Sequence, residues 1–317
     1  MEVNGYKIEP GANLDGANLT QANLTQANLF GARFNYSNLV GARLKGADLT
    51  CADLTYAKLA DANLTEAKLV GAKLTGANLE NANLTGANLT GANLENVNLV
   101  GANLENANLT GAKLTGANLT KANLTRANLT CAMSYSYYEG SAQLSQANLT
   151  GANLTGAGLT YANLEGANLT DANLTGANLT WAILTGANLR NANLTNAELG
   201  DTELSGANLT EAKLVGAEYL GLAHLISEDS PRPNLTGANL TGANLEGVNL
   251  SNLDLTRAWL VDANLEGANL TRANLTDANL TGANLTDADL TDAILTDANL
   301  VGTNLTGATM PDGTIHE

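Results

Sequence analysis

Apolar residues recur at every fifth position along almost the whole chain. The stretch from Ala77 to Leu94 shows the unit, Ala-Asn-Leu-x-x, in which Ala stands two residues before each Leu. Side chains two residues apart point the same way on an extended segment. Because five is odd, consecutive Leu residues would alternate between the two faces of a flat strand. The pattern therefore predicts an extended backbone that bends once per repeat and coils, with Ala and Leu inside.

An α-helix does not accommodate this period. At about 100° per residue, a five-residue step moves each Leu roughly 140° around a helix axis, which spreads the apolar residues over every face. Asn, Thr and Gly are also poor helix formers, whereas Gly and Asn tolerate turn conformations. Since Ala and Leu supply nearly all the apolar residues, the interior is expected to be narrow and uniform.

The repeat resembles that of the pentapeptide repeat proteins, whose consensus Ala-(Asp/Asn)-Leu-x-x is reproduced almost literally here, in the manner of bacterial and notably cyanobacterial members. The resemblance implies an all-β fold, a right-handed quadrilateral parallel β-helix with four repeats per coil. Repeat centres run in phase from Leu14 to Leu129, then to Tyr219 after one irregular stretch and to Met310 after a second. These centres correspond to about 14 coils stacked at ~4.8 Å, with two loop insertions.

Departures from the repeat divide the chain into segments. Strict threading would place Ser134 and Glu139 at interior centres, and an unpaired buried Glu is costly, so part of the first irregular stretch is expected to leave the coil. The second stretch slips the phase by one residue and contains two prolines. The predicted segments are a cap (1–11), a β-helix (12–219) with an irregular loop near 132–143, a loop insertion (220–234), a continuing β-helix (235–310) and a C-terminal tail (311–317).

Both irregular stretches contain candidate contacts for a partner. Exposed tyrosine is favoured at interfaces, and the first stretch holds three tyrosines within four residues. A self-packed insertion explains that stretch equally well. The second stretch combines a histidine with charged residues next to its prolines. The candidate contacts are Tyr135, Tyr137, Tyr138, His224, Glu228, Asp229 and Arg232.

Coils of twenty residues place outward side chains in rows along the solenoid. Tyr36 and Tyr56 occupy equivalent positions in adjacent coils, and so do Tyr161 and Trp181, in a row that also includes Lys121. Exposed aromatic pairs are typical of interaction hot spots, so Tyr161 and Trp181 join the candidate contacts. The alternative is a row of rings that shields the backbone.

The last coil is expected to be thinly covered. Its centres are followed by a turn and a short tail, and no long amphipathic helix is present to cover Leu295, Leu300, Leu305 and Met310. An open edge invites end-to-end pairing. A homodimer through the coil ends is therefore one predicted assembly.

Charge is distributed unevenly along the sequence. The net charge of −16 arises after residue 126, because residues 1–126 hold equal numbers of acidic and basic residues, and no Lys or Arg follows Asp277. Such a surface repels nucleic acid and attracts a basic partner, most strongly at low salt. We expect a basic protein partner and no direct nucleic-acid binding.

The sequence offers little for catalysis. His224 and His316 lie far apart, Cys51 and Cys131 have no neighbouring ligand residue, and neither metal-ligand spacing nor a phosphate-binding glycine motif occurs. Four coils separate the two cysteines, about 19 Å at ~4.8 Å per coil, which is too far for a disulfide. We expect free thiols in a reducing compartment, no enzymatic activity, no metal and no cofactor.

We expect no secretory leader, because no charged and apolar stretch with a small-residue cleavage site precedes the repeats. No apolar run approaches the roughly 18 to 20 residues that a membrane span needs. The recurring Asn-Leu-Thr matches the glycosylation acceptor pattern only because the repeat generates it. We expect a cytoplasmic protein without membrane association.

Two functions are compatible with the sequence. The first is a non-enzymatic structural or protein-interaction scaffold. The second is a DNA-mimicking modulator of a type II topoisomerase (gyrase), which the resemblance implies through the acidic, quinolone-resistance branch of the family. That branch favours many Phe centres and dimerises through a C-terminal element, whereas this chain has Phe34 as its one Phe centre and a short tail.

Overall fold

The computed structural model describes residues 1–130, 142–217 and 235–317. They belong to two compact units, Met1–Asn163 and Leu164–Glu317. Each unit is a right-handed quadrilateral β-helix held by a ladder of parallel bridges, most of them between residues twenty apart. The predicted fold class is thus confirmed. No change in the repeat marks the boundary between the units.

Each repeat consists of a short extended segment and a tight turn. The N–H of Ala17 donates to the carbonyl of Leu14 at 3.0 Å, which closes a four-residue turn. The third residue of the turn has a positive φ, 66° at Gly16 and 53° at Gln21. A type II turn requires this left-handed conformation at that place, where Gly and Asn cost least. One turn per repeat therefore absorbs the odd period.

Backbone hydrogen bonds join consecutive coils. The residue before each Leu forms the bridge, as in Asn63↔Asn83. The N–H groups of the Leu and of the left-handed turn residue point toward the following coil: Leu64 donates to the Asn83 carbonyl at 2.6 Å, and Glu66 donates to that of Thr85 at 2.9 Å. A terminal coil leaves these N–H groups unpaired unless another segment covers them.

The polar positions of the repeat support the turn. Asn88 Oδ1 accepts the backbone N–H of Thr90 at 3.1 Å and the Thr90 hydroxyl at 2.6 Å. This arrangement recurs through the chain and explains why Asn-Leu-Thr is repeated. Amide ladders add contacts between coils, as from Asn98 Nδ2 to Asn78 Oδ1 at 3.0 Å.

Ala and Leu fill the interior. Inner side chains such as Leu79 are fully buried, and Phe34 is accommodated at its centre without exposed surface. Ser37 replaces an inward Ala, and its hydroxyl has no hydrogen-bond partner. Thr202 also replaces an inward Ala, but its hydroxyl donates to the carbonyl of Leu179 at 2.9 Å. The core thus tolerates isolated departures from the repeat.

The bridge ladder changes its spacing at two places. Lys113 pairs with Gln143, thirty residues further on, and Asn208 pairs with Asn239, thirty-one residues further on. Ten and eleven residues are therefore added to a twenty-residue coil at these places. Our predicted loops, near 132–143 and at 220–234, fall mostly on residues outside the described ones, which are 131–141 and 218–234. Ala142 and Gln143 are described and belong to the coil, since Ala142 is buried and Gln143 bridges Lys113.

Two short strands precede the first coil. They are β1 (Glu2–Val3) and β2 (Tyr6–Lys7), which pair antiparallel. Asn18 of the first coil donates its backbone N–H to the Tyr6 hydroxyl at 3.3 Å, and its carbonyl accepts from Asn4 Nδ2 at 3.4 Å. The hairpin thus satisfies backbone groups at one side of the first coil. Among the described residues, no helix is long and apolar enough to cross a membrane.

Candidate partner-binding surfaces

Most of the candidate contacts named from the sequence lie outside the described residues, and they stay predictions. They are Tyr135, Tyr137 and Tyr138 within 131–141, and His224, Glu228, Asp229 and Arg232 within 218–234.

Tyr161 and Trp181 occupy the left-handed turn position of their repeats, with φ of 61° and 62°. Both are half-buried, and they belong to different units. Placing Lys121 in their row was wrong. A Cβ added to Gly151 would lie 3.6 Å from Lys121 Cγ, so Lys121 stacks on the turn of Gly151 instead. The ten additional residues equal two whole repeats, so the five-residue phase of the sequence is unchanged. The sequence therefore does not show that Lys121 moves to another row.

Tyr36 and Tyr56 form the stacked pair that the twenty-residue coil predicts. Their ring centroids lie 5.3 Å apart with an interplanar angle of 18°, and the residues are 67% and 50% exposed. The Tyr56 ring extends over the following coil, where a Cβ on Gly76 would lie 2.4 Å from Tyr56 Cε1. Because glycine lets the ring lie against the backbone, this pair fits the backbone-shielding alternative.

The last coil of the second unit, residues 293–310, is thinly covered, as predicted. Its Leu centres are half-buried, whereas Leu280 and Leu285 of the preceding coil have no exposed surface. Two exposed apolar side chains stand beside this open coil, Ile294 at 49% and Val301 at 70% exposure. An apolar fringe therefore borders the exposed end of the core.

The backbone edge of this coil is also open on three of its four sides. In the preceding coil, the N–H groups of Leu and of the turn residues all donate to the following coil. In the last coil, five such groups have no partner among the described residues: those of Leu295, Asp297, Leu300, Gly302 and Leu305. Unpaired strand edges are templates for added strands.

The fourth side is covered by the C-terminal residues. Thr309 and Ile315 form an antiparallel bridge. Met310 donates its N–H to the Thr314 carbonyl at 2.7 Å, and His316 donates to the Ala308 carbonyl at 2.8 Å. This coil edge therefore accepts an antiparallel strand. No sequence pattern indicates this pairing, because the short tail has no alternation of apolar and polar residues.

Carboxylates surround the open coil. Arg257 pairs with Asp277 of the next coil at 3.6 Å, and Asp297 ends this row without an ion pair among the described residues. A second row ends in the same way; it consists of Arg272, Asp292 (3.5 Å from Arg272) and Asp312. The outermost carboxylate of each row thus has no ion pair among the described residues, and that of Asp312 accepts two hydrogen bonds from Thr314.

The pKa values of Asp312 and Asp201 are shifted in opposite directions. Hydrogen bonds from the hydroxyl and the backbone N–H of Thr314 lower the pKa of Asp312, so this side chain is charged at neutral pH. Burial raises the pKa of Asp201, whose Oδ2 is buried without a hydrogen-bond partner. No sequence signal marks Asp201, because Asp is common at the left-handed turn position.

Groups that could support chemistry are sparse in the part of the chain that the structure describes. No group of three or more His, Cys, Asp or Glu side chains there is placed to hold a metal ion. Cys51 is an exposed free thiol, and Cys131 lies outside the described residues. The open acidic coil is therefore the candidate surface within the described residues.

These observations define a β-solenoid repeat protein with an exposed, acidic terminal coil. The family profile described as Pentapeptide repeats (8 copies) matches more than half of the sequence, and the chain belongs to the pentapeptide repeat family. The resemblance inferred from the repeat is thus confirmed. The matched segments are 11–46, 27–65, 47–86, 62–101, 92–130, 141–176, 172–210, 187–218, 234–272 and 273–310.

Several solved structures are similar to this chain. HetL, a pentapeptide repeat protein involved in heterocyst differentiation regulation from the cyanobacterium Nostoc sp. strain PCC 7120, is 31% identical over 94% of this chain and 91% of its own, with a TM-score of 0.32. AT2G44920 from the Arabidopsis thaliana thylakoid lumen is 36% identical over 33% of this chain and 66% of its own, with a TM-score of 0.29.

QnrB1, a plasmid-mediated fluoroquinolone resistance protein, is 20% identical over 59% of this chain and 90% of its own, with a TM-score of 0.42. No curated protein sequence matches the chain.

Proposed function

We propose that this protein is a non-enzymatic scaffold that binds a basic protein through the acidic surface of its second unit. One observation carries the proposal: among the described residues, both acidic rows end in a carboxylate without an ion pair, at the coil whose backbone edge is open and whose Leu side chains are only half-buried. Protein interfaces usually have an apolar centre and a polar or charged rim. The last coil has this arrangement, with backbone N–H groups at its centre that are unpaired within the described residues.

Electrostatics supports a basic partner over a neutral one. The net charge of −16 arises after residue 126, and no Lys or Arg follows Asp277. Arg257 and Arg272 each offset one carboxylate, that of Asp277 and that of Asp292, whereas Asp297 and Asp312 have no ion pair among the described residues. Attraction of this kind accelerates association and weakens as salt increases. The proposed setting is the cytoplasm, where Cys51 stays reduced.

Affinity capture with matched variants tests this proposal. Immobilised wild-type protein is compared with a variant that neutralises four acids around the open coil, in a cyanobacterial lysate chosen because HetL comes from a cyanobacterium. Asn fills the places of Asp287, Asp289 and Asp297 in other repeats, and at position 312 its amide oxygen can accept the hydrogen bonds of Thr314. The variant carries Asp287→Asn, Asp289→Asn, Asp297→Asn and Asp312→Asn. The control carries four changes in the first unit: Glu66→Gln, Glu80→Gln, Glu95→Gln and Glu105→Gln.

We expect the wild type and the control to retain basic proteins that elute with salt. The variant with the four neutralised acids should no longer retain them. If that variant retains the same proteins as the wild type, the acidic surface is not the binding site and the proposal is wrong.

The second candidate function is DNA mimicry directed at a type II topoisomerase. It is favoured by the regular display of acids such as Asp277 and Asp297 at successive coils. Arg257 and Arg272 interrupt those rows, which makes the mimicry of a phosphate backbone incomplete. A supercoiling assay with purified gyrase decides the matter: unchanged supercoiling and unchanged drug sensitivity at micromolar protein would rule out this candidate.

A further inference from the structure

We propose that the side of the last coil centred on Ile294 binds an extended segment of the basic partner as an added antiparallel strand. The inference rests on the proposed function and specifies its site and mode of recognition. The proposed occupant of the open edge is a partner strand with a defined pattern of apolar and basic residues.

The backbone groups at Ile294 match those that already hold a strand. The Leu295 N–H and the Ala293 carbonyl, on either side of Ile294, have no hydrogen-bond partner among the described residues. On the fourth side of the coil, the corresponding groups of Met310 and Ala308 bind the C-terminal residues in an antiparallel bridge. A strand added to a free edge gains affinity from such main-chain hydrogen bonds.

The side chain at the bridging position supplies specificity. Inner coils carry polar residues here, as at Asp254 and Asn274, whereas the last coil presents Ile294 at 49% exposure. Directly opposed residues of paired strands have their Cβ atoms about 5 Å apart, so an apolar partner residue opposite Ile294 would shield it from water. The residues next to that one would point inward and cover Leu295.

Charge at the two adjacent turns predicts the ends of the partner segment. Asp297 lies in the turn that follows Ile294. The turn that precedes Ile294 contains Asp292, and Asp312 lies one coil further on in the same row. Partner residues two positions before and after the central one point outward, toward these carboxylates. The expected segment is therefore basic, apolar, apolar, apolar, basic.

A second copy of this chain is a poor occupant of the same edge. Joining two such ends would bring Asp297 and Asp312 of one copy close to the same carboxylates of the other. Like charges opposed across paired strands are destabilising, and no Lys or Arg follows Asp277 to neutralise them. The charge therefore selects a basic partner over self-association.

The test uses a fluorescent peptide, Lys-Val-Ile-Val-Lys, blocked at both ends and titrated with the full-length protein by fluorescence anisotropy at low salt. One control peptide, Glu-Val-Ile-Val-Glu, reverses the charge. A second, Lys-Val-Ile-Pro-Lys, removes the N–H that would donate to the Ala293 carbonyl, the place that His316 takes in the C-terminal pairing. We expect saturable binding of the first peptide and at least tenfold weaker binding of both controls.

Protein variants locate the site. Ile294→Lys should weaken binding of the basic peptide at least tenfold, and so should the double variant Asp297→Asn with Asp312→Asn. The matched control is Ile183→Lys, since Ile183 has the same place in the repeat within an inner coil, where its neighbours are paired. This control should bind like the wild type.

Equal binding by the Ile294→Lys variant, or by the proline peptide, would overturn the inference. So would a wild-type dimer in sedimentation velocity that Ile294→Lys dissociates, because the occupant would then be a second copy. The scaffold proposal fails separately: it is wrong if the variant with the four neutralised acids retains the same proteins, whatever the peptide does.

Discussion

At the scale of single residues, the left-handed turn position restricts the side chain in two ways, through its own φ and through the ring or amide lying above it. Gly76 and Gly91 have nearly the same φ, 65° and 64°, but only Gly76 lies beneath a side chain, the Tyr56 ring. We expect Gly76→Ala and Gly91→Ala each to lose about 1 kcal/mol of stability from backbone strain. Gly76→Ala should lose more, because its Cβ meets the ring.

Urea unfolding of both variants measures this difference. In a Tyr56→Ala background the additional loss at Gly76 should disappear, since the clash is with the ring. Equal losses for the two glycine variants with Tyr56 present would show that the ring moves away without cost.

Asp48 and Asp201 should give opposite pH dependences of stability. Hydrogen bonding from Thr50, with a contribution from Lys68, lowers the pKa of Asp48, so its stabilisation is present above the ordinary carboxyl pKa and is lost as pH falls. Burial raises the pKa of Asp201, so the folded protein loses stability as pH rises from the ordinary carboxyl pKa through the raised one.

Thermal melts of Asp48→Asn and Asp201→Asn between pH 3 and 8, each compared with the wild type, provide the test. Asp201→Asn should raise the melting temperature at pH 7, with a gain that shrinks toward acid. Asp48→Asn should lower it at pH 7 by an amount that shrinks toward acid. The same sign for both variants at pH 7 would contradict the assignment.

At the scale of the elements, position in the stack decides what a core residue contributes. Leu104 is fully buried between paired coils, whereas Leu300 is half-buried in the last coil. Leu104→Ala should cost about 2 to 5 kcal/mol, the usual range for a buried Leu→Ala change. Leu300→Ala should cost clearly less, because its side chain is covered on one side only. Urea midpoints of the two variants decide this, and equal losses would mean that the last coil is covered in solution.

The repeat predicts the coil directly, but it does not predict the register between coils. Five-residue spacing requires a turn per repeat, which gives the bridge ladder and the buried Ala and Leu. The interruption after Leu129 adds two whole repeats to a coil, so the phase of the sequence is unchanged and Lys121 was assigned to the wrong row. The later slip of one residue was visible because it breaks the phase.

At the scale of the whole molecule, the acidic distal half and the thin cover of the last coil were predictable from the sequence. The pairing of the tail with Thr309 was not, and neither was the set of free backbone N–H groups. Both depend on main-chain geometry after the last turn. The free backbone groups of the candidate site are therefore visible only in the structure, whereas its negative charge is predictable from the sequence. The aromatic candidates Tyr161 and Trp181 stay predictions.

The open edge of the last coil is the proposed binding site for a basic partner. Hydrogen–deuterium exchange of the full-length protein, free and with the basic peptide Lys-Val-Ile-Val-Lys, tests it most directly. In the free protein, the amides of Leu295, Asp297 and Leu300 should exchange fast, while those of the preceding coil are protected. Bound peptide should slow exchange at Leu295. Slow exchange there in the free protein, or protection that appears only elsewhere on binding, would contradict the claim.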